Sequence, residues 1–258
     1  MALTIYVDIP NSDIDPESPI TTSLMTSLRD NPKALSEYLF FNTSDTFTVP
    51  IAGKYYLFAL GGGQGGDGGE DGNGSGWTSC TIVNKVATKD GGDANSGNIG
   101  GSTSFKRGAT DLLLAPGGGI NAEIETEFGV GEEFAYSTAG QGNAGCAAKA
   151  NPGAGGTGGS SLFGVGGLGV VSSNGLPGTG KGSGGGGGWV QDGFQLTSFG
   201  NGGMSGQWAN AIVDFTDGES ITVSVGAGGA GGGGSRGNGG AGAVGYAFLK
   251  LLPESANL

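Results

Sequence analysis

The chain has 258 residues, 61 of them glycine, and carries 23 acidic against 11 basic side chains with no histidine, a net charge of −12. That balance argues against nucleic acid and anionic membrane surfaces as partners, since both require clustered Lys and Arg. The absence of histidine removes Ser-His and Cys-His catalytic arrangements and most metal sites.

Glycine is confined almost wholly to one part of the chain. Only Gly53 falls in the first 60 residues. Leu3 to Val7 is rich in β-formers and predicts a short strand or extended arm. Ser18-Pro19 reads as a helix cap followed by proline at the first helical position. Ile20, Leu24 and Leu28 then recur every four residues with Met25 beside them, giving one apolar face. Asn31-Pro32 repeats the start signal for a second short helix over 33–38. A helical pair this small cannot bury its own face, so it must dock on something else. No signal peptide is read at the start, and no apolar run approaches the ~20 residues of a membrane span.

Asp45 to Leu60 reads as a hairpin turning at Ile51-Ala52-Gly53. Further strands are expected at 81–86, 102–105, 111–115, 124–128, 209–215, 220–225 and 244–251. Asp217-Gly218 is a hairpin-turn signal between two of them. Short strands with turn residues between them predict a mainly β fold, a jelly-roll-like sandwich with glycine-rich loops. Glycine plus proline reaches about a quarter of the chain, the level at which disorder is the default. Segments such as Ile221–Val225 nevertheless interrupt the runs and can bury surface. Glycine runs can be mobile, or packed as polyglycine II helices with three residues per turn, bonded laterally through free N–H and C=O groups. Composition leaves both open. Gly100–Phe105 recurs imperfectly as Gly158–Phe163, without constant spacing.

Catalytic and metal motifs fail on inspection. Gly175–Lys181 fits a phosphate-binding loop until Gly182, where Ser or Thr should hold magnesium, and no helix-forming sequence follows. Asp67, Glu70, Asp71 and Asn73 crowd one loop without the spacing of a calcium loop. Glu123, Glu125, Glu127, Glu132 and Glu133 could supply a carboxylate pair for glycoside cleavage. Their alternation more simply describes the solvent face of a strand. Cys80 and Cys146 read as free or buried thiols. No cofactor and no enzymatic activity are expected.

The stretches Asp8–Asp15, Ser18-Pro19-Ile20 and Leu28–Pro32 resemble the N-terminal segment of many bacteriophage tail-fibre and virion proteins. Thr46–Pro50 followed by Leu60-Gly61-Gly62-Gly63, and Gly218 to Gly231, resemble their glycine-rich domain. The resemblance implies a virion component, often a homotrimer, attached by its N-terminus with its glycine-rich part exposed. Some adhesins of this kind use packed polyglycine helices whose loops contact the host receptor. This chain has more dispersed runs and more strand-forming content, which favours a β-sandwich carrying glycine-rich loops.

The expected organisation is therefore a virion-attachment segment at 1–41 and a display domain at 42–258. Ile20, Leu24, Met25 and Leu28 are the particle-docking candidates. Trp77, Trp189, Phe194, Phe199 and Trp208 lie in or beside glycine-rich segments and are the receptor-contact candidates, because aromatic faces stack on sugars and supply rigid contact area. The expected partners are other virion proteins and a host surface glycan or outer-membrane protein, without membrane insertion. The protein would be assembled in the host cytoplasm and located on the phage tail or particle surface. A decoration protein of capsid or tail with a structural role is the alternative, and a surface-glycan hydrolase a remote one.

Overall fold

A computed structural model describes residues 25, 38–69, 82–83, 86–87, 97–119, 135–136, 155–189, 200–234 and 236–252. Met25 is helical and exposed. The described chain is mainly β. Its strands are β1 (Leu39–Phe41), β2 (Asp45–Thr48), β3 (Gly53–Leu60), β4 (Ile82–Val83), β5 (Val86–Ala87), β6 (Thr103–Arg107), β7 (Thr110–Ala115), β8 (Ala135–Tyr136), β9 (Trp208–Phe215), β10 (Ser220–Ser224) and β11 (Tyr246–Leu251). Two antiparallel sheets carry the architecture, one in the order β1-β11-β3-β9-β8 and the other β2-β10-β6-β7, while β4 and β5 pair separately. The larger sheet takes in Leu39–Phe41, the last three residues of the expected attachment segment. The expected strand at 124–128 lies outside the described residues, as does the Leu3–Val7 strand; of the helix expected over 33–38 only Tyr38 is described, and it is not helical.

Alternation sends every second residue inward, and the inward sets of both sheets form one core. Tyr55, Leu57, Ala211, Phe215 and Leu249 come from the larger sheet; Phe47, Phe105, Leu113, Ile221 and Val223 come from the smaller. Side-chain size falls along the larger sheet in one direction. Its inward rows run Leu251–Tyr55–Val213, then Leu249–Leu57–Ala211, then Ala247–Ala59–Ala209. Beyond the alanine row both sheets continue into glycine chains, where no side chains hold the layers apart. At this junction the buried Thr103 hydroxyl donates to Leu60 O at 2.7 Å and accepts from the Gly226 N–H at 3.0 Å, tying the sheets together.

Both expected hairpins are corrected. β2 and β3 lie in different sheets, and so do β9 and β10. The turns at 49–52 and 216–219 cross the core at the end away from the glycine chains, and they bond to each other through Val49 N–H to Glu219 O and Gly218 N–H to Val49 O. Gly218, at φ +74°, does reverse the chain as the Asp-Gly signal predicts. Turn residues specify reversal; the pairing partner follows from where the apolar faces can meet. Phe47 and Tyr55 face one another across the core, edge to face at 6.3 Å, so the chain between them must bridge the layers. The strand expected at 81–86 is instead the β4–β5 pair.

The described glycine runs are neither loops nor sheet. In 61–69 the N–H groups of residues 61, 64 and 67 bond to the carbonyls of 207, 204 and 201; those of 62 and 65 bond to 101 and 98; those of 63, 66 and 69 bond to 243, 240 and 237. Each neighbour is met every third residue, the period of an extended three-fold helix. Carbonyls along the same stretch accept from 118, from 185 and 188, and from 229 and 232. Chain 61–69 is thus enclosed on all sides by other chains, and 182–188 is bonded in the same manner.

Composition follows from this packing. At Gly66 the N–H bonds Gly240 O at 2.9 Å and the carbonyl accepts from the Gly232 N–H at 2.8 Å. The remaining direction, where a Cβ would lie, runs into the Gly186 peptide. In the enclosed chains that third direction is occupied at most positions, so glycine is required. The exceptions are informative. Gln64 and Asp67 lie in the same three-fold column as Gly61, which abuts Pro116. Beside that column the neighbouring chain turns at Gly118-Gly119, where Gly119 has a φ of +83° and lies against the Gln64 side chain. Gln64 Oε1 accepts from the Met204 N–H at 3.2 Å, and Asp67 accepts from the Gly97 N–H and from Asn201 Nδ2 at 2.9 Å each. On an outer chain the period shows in burial: Gly226, Gly229 and Gly232 are buried while Ala227 and Ala230 are exposed.

Candidate functional site

The chains of the glycine bundle run alternately away from the sheets and back. Chains 61–69, 116–119, 164–169, 182–188 and 226–232 run outward; 97–101, 155–159, 175–179, 200–206 and 237–245 return. At the sheet end most chains pass directly into strands. At the far end outward chains are joined to returning ones by segments 70–96, 170–174, 190–199 and 233–236, whereas segment 120–154 leaves chain 116–119 beside Gly62, near the sheets, and carries β8 into the larger sheet. Four connections, of 4 to 27 residues, therefore start and finish at one end of the glycine bundle.

Trp77, Phe194 and Phe199 fall within these connections and lie outside the described residues, as do Ile20, Leu24 and Leu28. Trp189 closes chain 182–188 at the far end, half-buried, with the Arg236 guanidinium 6.0 Å from its ring centre, a cation–π contact. Trp208 is not brought beside it. It opens β9 at the sheet end, stacked on Phe58 with centroids 6.0 Å apart. The returning chain 200–207 separates the two, about 25 Å of three-fold helix at 3.1 Å per residue. Trp189 and Trp208 thus belong to different surfaces.

Sequence reasoning missed a second surface, on the outer face of the larger sheet. β11 points Ala247 and Leu249 inward and Tyr246, Phe248 and Lys250 outward. Phe248 stacks on Phe58 at 4.9 Å and meets Phe40 edge to face at 6.0 Å. Tyr38, Phe40, Phe163, Lys181, Tyr246 and Phe248 line an open groove of about 510 Å³. Burial raises the Tyr246 hydroxyl above its ordinary pKa. The signal was legible: aromatic residues at alternate positions of a strand whose other face is already apolar. The imperfect repeat ends on both surfaces, because Phe105 is a core residue while Phe163 is 47% exposed at the groove.

The decoy motifs have structural explanations. In Gly175–Gly182 the N–H groups of residues 175, 178, 179, 181 and 182 bond to carbonyls of 238, 241, 165, 163 and 244, leaving them engaged rather than turned towards a phosphate. Asp67 is taken up by Gly97 and Asn201. Glu70, Asp71, Asn73, the glutamates at 123–133 and both cysteines lie outside the described residues. Among the described residues no cluster of ligating side chains could hold a metal, and no helix is long and apolar enough to cross a membrane. Comparison with known protein families and with curated proteins finds no match for this chain.

Proposed function

We propose that this chain is a non-enzymatic bacteriophage virion protein, a tail-fibre or receptor-binding tip that attaches to a host surface glycan or outer-membrane protein. In this reading the two sheets form a jelly-roll-like sandwich, and the glycine chains are packed polyglycine II helices, supported by their three-residue bonding period. The segment 1–41 attaches to other virion proteins.

The observation that carries the reading is the arrangement of the connections at the far end of the bundle. Cross-bonded glycine chains are a rigid base, and a rigid base with several connections gathered at one end suits recognition by display. Trp77, Phe194 and Phe199 belong to the segments that make those connections, and Trp189 stands at the far end of chain 182–188. As a homotrimer repeated on a particle, weak contacts would multiply into avidity.

The test is binding of the labelled full-length protein to intact cells across a panel of candidate bacteria. Saturable binding to one strain, lost when its surface glycan or porin is deleted, is expected. Absence of binding by folded protein, together with a capsid location in electron microscopy of particles, would overturn the adhesin reading in favour of structural decoration.

A further inference from the structure

The aromatic groove on the larger sheet is apolar apart from Lys181 and the tyrosine hydroxyls, and Phe40 at its centre is 54% exposed. Exposed apolar surface of this kind marks an interaction site. A sugar or other polar ligand would need convergent donors and acceptors, which this lining lacks. An apolar segment with polar flanks fits better.

We propose that the occupant is this chain's own segment 18–37, seated through Ile20, Leu24 and Leu28. The chain enters the described fold at Tyr38, which itself lines the groove. The segment is therefore tethered at the rim, and a short tether raises its effective concentration to about the millimolar range. The three apolar residues recur every four positions, so on a helix they share one face about 12 Å long. Nine residues separate Leu28 from Tyr38, enough for the chain to turn back over the groove. Met25 lies beside this stripe rather than in it, and is 55% exposed.

Charge points the same way. Residues 1–37 carry six acidic and two basic side chains, net −4. The groove offers cations: Lys181 Nζ stands 6.0 Å from the Tyr246 ring and Lys250 Nζ 4.7 Å from the Tyr38 ring. Its lining contains no carboxylate. On a chain of net charge −12, a cationic aromatic groove would take up its own acidic segment more readily than the surface of another copy. Seated in this way, segment 18–37 would hold residues 1–17 at a defined edge of the sheet, from which they could reach a particle.

Limited trypsin digestion of the isolated full-length protein tests this, reading cleavage at Lys33. Cleavage of a docked segment follows the population of its open state. Leu24→Asp, which leaves the sheet untouched, and Lys250→Glu, which cancels the groove's positive charge, are each expected to speed cleavage about tenfold. The thermal midpoint should not change, and the wild-type rate should be constant from about 1 to about 100 µM protein, as an intramolecular contact requires. Equal cleavage rates in wild type and Leu24→Asp would overturn the proposal. A wild-type rate that falls with protein concentration would also overturn it, assigning the groove to a second copy. Neither result bears on receptor binding, so this proposal and the adhesin reading fail separately.

Discussion

Replacing Gly66 with alanine separates an ordered glycine bundle from mobile loops by the sign of its effect. In a mobile run the substitution restricts the unfolded chain and stabilises by about 0.4–1 kcal/mol. In the bundle the new Cβ would stand 2.5 Å from the Gly186 carbonyl carbon and closer still to its oxygen, where ordinary contact begins at 3.4 Å. The chain must move by about 0.9 Å on the carbon contact alone, and no flexible side chain is there to yield. Such a shift pulls Gly66 away from Gly240 and Gly232, whose bonds to it are 2.9 and 2.8 Å. Overpacking costs about 1–3 kcal/mol, and two weakened hydrogen bonds about 1 kcal/mol each. The expected loss is about 3–5 kcal/mol, a fall in melting temperature of roughly 6–20 °C at 2–4 °C per kcal/mol. Ala230→Ser, at an exposed outer position of a neighbouring chain, is the matched control and should change little. Thermal unfolding followed by circular dichroism or calorimetry reads both. A Gly66→Ala protein that melts at or above the wild-type temperature would refute the packing argument.

Thr103→Val keeps the shape but removes the hydroxyl that bridges Leu60 O and the Gly226 N–H; leaving both unsatisfied should cost about 1–3 kcal/mol in urea unfolding. Glu219 is shielded from water, which alone would raise its pKa, but hydrogen bonds from Thr216 and Arg107 outweigh that and hold it below its ordinary value. Its contribution is therefore present above the unfolded carboxyl pKa and is lost as pH falls through the folded one. Glu219→Gln should lower stability at pH 7 and flatten the acid limb of the stability profile. Burial, with a smaller effect from Asp217, pushes Tyr55 up to about 12, and its hydroxyl donates to Ile51 O at 3.0 Å. Stability from this group is present below about pH 10 and lost as pH rises towards 12, so alkaline unfolding should be weaker in Tyr55→Phe. Trp189→Phe should leave melting nearly unchanged while removing the indole signal that responds to Arg236→Ala, read by fluorescence.

Several parts of the fold were legible because they rest on local chemistry. Runs of β-forming residues in Lys54–Leu60, Ala209–Phe215 and Ile221–Val225 mark strands wherever they pair, and Gly218 marks a reversal whatever it connects. Pairing was not legible. Two turns that read as hairpins cross between sheets, since the destination of a strand depends on which distant apolar face can cover it. The aromatic groove was legible only in part. Alternation of Tyr246 and Phe248 on β11 is visible locally, but Tyr38, Phe40, Phe163 and Lys181 reach them from distant parts of the chain. Trp189 and Trp208 look alike in sequence, each beside a glycine run, yet lie at opposite ends of the bundle.

The glycine runs divide most clearly between the two levels. The sequence by itself determined that 61–69 and 182–188 could pack without side chains, because glycine leaves every direction around the backbone open to another chain. Whether they pack was decided by tertiary structure, which supplies neighbours on every side for the N–H, the carbonyl and the absent Cβ. That is also why Gln64 and Asp67 are tolerated: their side chains find room and partners at Met204, Gly97 and Asn201, a fact of three dimensions to which the one-dimensional pattern of glycines is matched.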